Sequence, residues 1–256
     1  MKLLVISRSF KLKSLLFLGG FSCLITLSLL TATTAFCAHQ TERTPLPRIV
    51  TIDPGHGGRD AGAHGSDNLL EKQVAMKFSA ALAEQLRGRY KVLLTRTGDY
   101  NVPLEDRIAK SNHARADVFI SIHTGASLLH NLNGISIFYY EKPPVAELKA
   151  ASSPPEESRQ LEPWDVVKPE QIEQSKYLAE LIKKRLLENQ IHGKLTVAGV
   201  PLFISVGTEM PTIMIEVGFI TNPGDAQRLN NDEKLQAFVR IIAEAVDDFF
   251  SDKLRL

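Results

Sequence analysis

The chain has 256 residues, 30 Lys and Arg against 29 Asp and Glu, and a formal net charge of +1. That length suits one domain plus a leader, with enough chain to bury a real core. The near-neutral balance lacks the broad basic footprint of nucleic-acid binders, so no nucleic-acid partner is expected. No repeat occurs at solenoid periods.

Lys2, Arg8, Lys11 and Lys13 form a basic start, and residues 14–38 then carry no charge. Small residues cluster from Thr33 to Ala38. This pattern predicts a signal peptide over residues 1–38, cut after Ala35 or Ala38, and export to the periplasm or beyond. The alternative is an uncleaved anchor in the inner membrane, because the uncharged run is long enough to span a bilayer. Lipidation through Cys23 or Cys37 is disfavoured, since bulky Phe36 precedes Cys37. Both cysteines of the chain lie in this leader. A domain cut after Ala38 therefore has no disulfide, no thiol nucleophile and no thiolate ligand, and any metal site must use His, Asp and Glu.

Residues 39–47 read as a short polar linker, too short to hold a separate domain. A single domain is expected over residues 48–251. A β-branched strand over 48–53 runs into Asp53-Pro54-Gly55-His56-Gly57-Gly58, a tight glycine loop. A helix is expected from Asn68 to Arg87, with Val74, Ala75, Phe78, Leu82 and Leu86 as its apolar stripe. Strand Val92–Thr95, helix Leu104–Ala114 and strand Val118–Ile122 follow, the last ending at His123. Gly134–Tyr140 reads as a fourth strand. Residues 141–169 are rich in Pro, Glu, Ser and Ala and read as an exposed insertion. Further on come a helix over 170–189, a short strand at Leu202-Phe203-Ile204, and strand Thr212–Ile215 ending at Glu216. The last helix covers 232–250. Strands alternating with amphipathic helices predict an α/β sheet covered by helices on both faces.

Open α/β sheets bind ligands beyond the carboxyl ends of their strands. Three strands here are predicted to end in His56, His123 and Glu216. Either histidine alone reads equally well as an ordinary loop residue. Glycines at 55, 57 and 58, and Thr124-Gly125-Ala126, shift the balance by leaving room around each ring. Glu71 has a rival reading as the third helical residue of a capping box whose N-cap is Asn68. Yet Glu71 shares the face of Val74, Ala75, Phe78 and Leu82. A carboxylate on an apolar stripe must be paired or bound to a cation. Two histidines, one carboxylate and an open fourth position suit a catalytic zinc, which needs a general base, and Glu216 is the candidate. Asp53 reads either as holding the loop or as orienting a ligand histidine.

These residues sit in a wider pattern. Ile52-Asp53-Pro54-Gly55-His56-Gly57-Gly58, Glu71 opening its helix, Leu94-Thr95-Arg96 and Leu104-Glu105-Asp106-Arg107 recur in order. Then come Ala116–His123 and Met210-Pro211 through Ile215-Glu216-Val217-Gly218-Phe219-Ile220-Thr221-Asn222-Pro223. Across residues 48–250 the chain resembles the zinc-dependent N-acetylmuramoyl-L-alanine amidases of the type 3 amidase family, which cleave peptidoglycan. The resemblance implies a single α/β domain with a mixed, mostly parallel sheet. It implies Zn²⁺ on His56, Glu71 and His123, and Glu216 as catalyst. It also implies peptidoglycan as substrate, in cell-wall remodelling and daughter-cell separation. A monomer is expected, and the sequence leaves open whether an activator protein is a partner.

The chain departs from the family after His123, where Thr124-Gly125 replaces the usual Ala followed by Asn or Asp. The segment Ser205–Glu209 also lacks an arginine often found before Met210-Pro211. Some relatives insert a regulatory helix near residues 141–169 that blocks the zinc. Here Pro143, Pro144, Pro154, Pro155 and Pro163 break the segment, so an open site is expected. Competing readings are a zinc peptidase or carboxypeptidase and a wall-binding module with reduced catalysis. A serine peptidase is disfavoured: Ser66-Asp67-Asn68 is present, but no Ser-x-x-Lys or Lys-Thr-Gly accompanies it.

Overall fold

The computed structural model describes residues 47–65, 68–142, 167–191 and 193–253. The predicted leader, nearly all of the linker and insertion, Ser66, Asp67 and His192 lie outside them.

Six strands form one sheet: β1 Ile49–Pro54, β2 Lys91–Leu94, β3 Val118–Gly125, β4 Ile135–Tyr140, β5 Leu195–Val200 and β6 Thr212–Phe219. Helices α1 Glu71–Leu86, α2 Leu104–His113, α3 Pro169–Glu188, α4 Pro223–Leu229 and α5 Asp232–Lys253 complete the fold, with a 3₁₀ turn at Phe203–Ser205. The sheet order is β2-β1-β3-β6-β4-β5. Every pairing is parallel except β6 with β4. The expected mixed, mostly parallel sheet is what forms.

Strand alternation divides the side chains between two faces. One face carries Val50, Ile52, Ile120, Ile122, Ile137, Ile213 and Ile215, which pack against the apolar stripes of α1, α3 and α5. Phe78 of α1 meets Phe238 of α5 edge to face at 5.1 Å. Burying each such ring contributes about 1.5–3 kcal/mol. The opposite face carries Phe119 and Met214, covered by Ile108 of α2, Leu202, Ile204 and Met210. This thinner cover leaves room for polar groups, and Asp53, Ser121, His123 and Glu216 follow the same alternation as Phe119 and Met214.

The strand order reverses between β1 and β3. The connection leaving β1 goes to β2 on one side, and the next crosses to β3 on the other. Ligand crevices of open sheets lie at such switch points.

Several predicted elements differ. β3 and β6 run past His123 and Glu216, so these residues lie inside strands, paired in register, rather than at their ends. Leu202–Ile204 is not a strand; Phe203–Ser205 is a 3₁₀ turn. The adjacent edge strand β5 was not anticipated: its residues are all half-buried and Gly199 interrupts it. Helix α1 begins at Glu71 with Leu70 as N-cap. Asn68 has φ +59° and lies outside the helix. The capping box therefore fails: Glu71 is the first helical residue, while Gln73 accepts from Leu70 N at 3.4 Å.

Candidate metal centre

β1 delivers its chain to a loop whose residues His56, Gly57, Gly58 and Gly62 all have positive φ. The loop folds back onto α1, where Glu71 N donates to Ala63 O at 3.0 Å and Lys72 N to Ala61 O at 3.2 Å. This brings His56 over the first turn of α1, while β3 carries His123 to the same point. One ligand atom each from His56, Glu71 and His123 lies within 4.8 Å of the others.

Glu71 is 4% exposed and its carboxylate is fully engaged. Oε1 accepts from Thr124 N at 3.0 Å and faces His123 Nδ1 at 3.0 Å and His56 Nε2 at 3.1 Å. Oε2 accepts from Ala63 N at 2.8 Å. Burial alone would raise its pKa. The bonds from His123, His56, Ala63 and Thr124 outweigh it and hold the carboxyl far below the ordinary glutamate range. The same carboxylate, against the opposing effect of burial, raises the pKa of His56. His56 Nδ1 meets Asp60 Oδ2 at 2.9 Å, and Asp60 Oδ1 accepts from Gly62 N at 3.1 Å. A carboxylate on the far ring nitrogen fixes the tautomer that offers Nε2 to a metal.

Glycines shape the cradle. A Cβ on Gly55 would stand 2.4–2.7 Å from the His123 ring, and one on Gly62 2.6 Å from His56 Cδ2 and 2.7 Å from Glu71 Oε2. Two arginines fix the backbone beneath. Arg96 is 1% exposed, and among the described residues it hydrogen-bonds no carboxylate. Instead it donates to Pro54 O at 3.0 Å, Gly55 O at 2.7 Å, Gly98 O at 3.0 Å and Lys72 O at 3.0 Å. One guanidinium thus ties the residue before His56 to the residue after Glu71. Arg107 donates to Pro54 O at 2.7 Å, His56 O at 2.9 Å and Asp53 Oδ1 at 2.7 Å.

Glu216 pairs with His123 across β3 and β6. Gly125 leaves it space, since a Cβ there would lie 3.0 Å from Glu216 Oε2. Among the described residues no group hydrogen-bonds its carboxylate. Burial raises its pKa; nearby His123 opposes this and the Glu71 charge adds to it. A cleft of about 420 Å³ opens from His56 and His123 toward Asn101, Leu104, Pro201 and Phe203.

The donor set fits a small divalent cation: two imidazoles and an ionised carboxylate converge, glycines close the sides, and the cleft leaves one side open. All four residues singled out in the sequence meet here. Asp53 takes the first of its two readings. It accepts from Thr95 Oγ1 at 2.5 Å, Ser121 Oγ at 2.8 Å and Arg107, and touches no histidine. Asp60 orients His56 instead. The sequence reading missed it because an exposed aspartate in a glycine loop carries no periodic signal. Thr124-Gly125 also gains a local reason: Thr124 contributes its backbone N–H to Glu71, and Gly125 makes room for Glu216.

The sequence matches the family described as N-acetylmuramoyl-L-alanine amidase (Amidase_3) over residues 50–248. It is 28% identical over 221 residues to N-acetylmuramoyl-L-alanine amidase AmiA of Escherichia coli K12, covering 79% of this chain and 76% of that one. The fold is similar to an N-acetylmuramoyl-L-alanine amidase from Clostridium difficile 630, with TM-score 0.65 and 26% identity over 81% of this chain and 98% of that one. It is also similar to AmiC2 of Nostoc punctiforme, with TM-score 0.63 and 25% identity over 80% and 97% of the two chains. With a hydrolytic constellation at the switch point and a family match across almost the whole described domain, the chain belongs to the N-acetylmuramoyl-L-alanine amidase family of peptidoglycan hydrolases.

Proposed function

We propose that this chain holds one zinc ion on His56, Glu71 and His123. With it, the chain hydrolyses the amide joining the lactyl group of N-acetylmuramic acid to L-alanine of the stem peptide, and Glu216 moves the proton. The observation that carries the proposal is the convergence of three ligand atoms within 4.8 Å, with Glu216 in register beside His123.

When bound, zinc supplies Lewis-acid polarisation of the amide carbonyl and brings the pKa of water toward about 7. The protein does the rest. Hydrogen bonds hold the Glu71 carboxyl far below the ordinary glutamate range, which favours the ionised form that a ligand needs. Among the described residues no group hydrogen-bonds the Glu216 carboxylate, so its oxygens are available to a water beside His123. Burial makes it a stronger base than an exposed glutamate. As the new C–O bond forms, Glu216 takes one proton from the water. As the C–N bond breaks, it gives that proton to the departing L-alanine nitrogen. Asp60, Arg96 and Arg107 hold the His56 loop still while this happens.

The uncharged run of residues 14–38 supports export, and so action in the periplasm or outside the cell. Cell-wall remodelling and separation of daughter cells is the role that fits. The proline-broken segment 141–169 supports a site that works without release of a blocking helix. The test is mass spectrometry of peptidoglycan fragments after digestion, with and without a zinc chelator. Free peptides beginning in L-alanine, lost with chelator and restored by Zn²⁺, are expected. Fragments cut within the stem peptide would instead make the chain a peptidase.

A further inference from the structure

Phe203 is the anomaly of the cleft. Its neighbours Leu202 and Ile204 are 6% and 5% exposed, packed into the second core cluster, whereas Phe203 between them is 77% exposed. The turn that presents it is rigid: Leu202 N donates to Val200 O at 2.7 Å, Ser205 N to Leu202 O at 3.0 Å and Val206 N to Phe203 O at 3.0 Å. An apolar ring held in water by two buried anchors forgoes the stabilisation that burial would give it. It also lines the same cleft as His56 and His123.

Whatever fills that cleft is attached to one side of the scissile amide: the glycan or the stem peptide. Their chemistries differ. Stem peptides carry free carboxylates and often an amine, which call for charged partners. The glycan is a chain of neutral N-acetylated sugars, with apolar C–H faces and amide and hydroxyl edges. Away from His56, His123 and the neighbouring Asp53, Asp60 and Arg107, the described lining of the cleft is uncharged, with Leu104, Pro201 and Phe203 as walls and Asn101 as a carboxamide. The charged groups that do line it are already engaged, Asp53 with Arg107 and Asp60 with His56.

We propose that this arm of the cleft is the glycan subsite, with Phe203 as the platform on which a sugar ring of the strand stacks and Asn101 as its polar edge. Phe203 is then a specificity-determining residue. Flat rigid rings suit this use because little side-chain entropy is lost on contact. The proposal rests on the amidase reading, and two substrates separate the two.

The test compares a disaccharide muropeptide, N-acetylglucosamine–N-acetylmuramic acid carrying the stem peptide, with the matching N-lactyl peptide that has no sugar. It adds calorimetric binding of the peptide-free disaccharide to the metal-free protein. Phe203→Ala should raise KM for the muropeptide about tenfold, equivalent to about 1.4 kcal/mol, with kcat within about twofold. It should weaken disaccharide binding by a similar factor, and Phe203→Trp should restore both. kcat/KM for the lactyl peptide should be unchanged. Because the ring is exposed, the melting temperature should hold. Equal loss on both substrates would place the peptide in this arm and overturn the proposal, as would disaccharide binding indifferent to the substitution. If the wild type cleaves neither substrate yet binds the disaccharide through Phe203, the subsite stands and the amidase reading falls.

Discussion

Glu71 and Glu216 both neighbour His123, and their surroundings are opposites. Around Glu71 both carboxylate oxygens have partners: two backbone N–H groups and two histidines, with a glycine at 62 that admits them. Around Glu216 burial comes without hydrogen bonds. The first environment drives the carboxyl to give up its proton, and the second drives it to keep one. In the proposed mechanism these surroundings suit identical side chains to two tasks, Glu71 as a metal ligand and Glu216 as a group that takes and returns a proton, the division of labour an amide hydrolase needs.

The comparison breaks most visibly at Glu71. Glu71→Gln keeps the shape but turns an NH₂ toward the donors at Ala63 or Thr124 and removes the charge. Zinc affinity should fall on the order of a thousandfold, measured by competition with a chromophoric chelator, and hydrolysis should vanish with it. Unchanged affinity would show that Glu71 is not a ligand.

Two glycine substitutions sharpen the division. Gly62→Ala puts a methyl against His56 and Glu71 at φ +66°. It should weaken zinc by about a hundredfold, with strain on the order of 1–2 kcal/mol from the backbone alone. Gly125→Ala presses on Glu216 at 3.0 Å. It should lower kcat several-fold while leaving zinc binding alone, because a 3.0 Å contact asks the neighbour to move only a few tenths of an ångström. Chelator competition and steady-state kinetics on both variants would separate the ligand side from the base side. A kcat loss without zinc loss in Gly62→Ala would merge them.

The smallest effect is on stability. Glu216 has a folded-state pKa above its unfolded value, so the native state binds the proton more tightly. Its ionisation therefore destabilises the fold increasingly as pH rises from the ordinary glutamate value toward the folded pKa, and fully above it. That cost disappears as pH falls toward the ordinary glutamate value of 4.5. In metal-free protein Glu216→Gln should raise the melting temperature at pH 8, by about 2–4 °C per kcal/mol relieved for a domain of this size. The gain should close toward pH 4.5. A decrease at pH 8 in differential scanning calorimetry would mean that Glu216 has a stabilising partner.

The three clustered candidates were legible in the sequence because each broke a local rule. His56 sits among glycines, Glu71 interrupts an apolar stripe, and His123 follows a run of apolar β-formers. The sheet was legible wherever strands were fully buried, as at Phe119–Ile122 and Ile213–Ile215. It was not legible at β5, whose residues are half-buried and whose pairing is set by β4 rather than by its own pattern. Helix α4 escaped notice because its seven residues are too few to show a period. Arg96 and Arg107 stood out only as parts of motifs. Their work is done on backbone carbonyls of residues brought together by the fold, and backbone carbonyls carry no sequence signal. For Asp53 the sequence left two readings, holding the loop or orienting a histidine, because only the fold shows that strand alternation aims it at Ser121 and Arg107.

The account turns on Glu216 being the proton carrier and not a ligand. The direct measurement is zinc content and amide hydrolysis on the same sample of Glu216→Gln protein. One zinc per chain with hydrolysis reduced by about 10²–10⁴-fold is the predicted result. Wild-type activity, or loss of zinc along with activity, would contradict it.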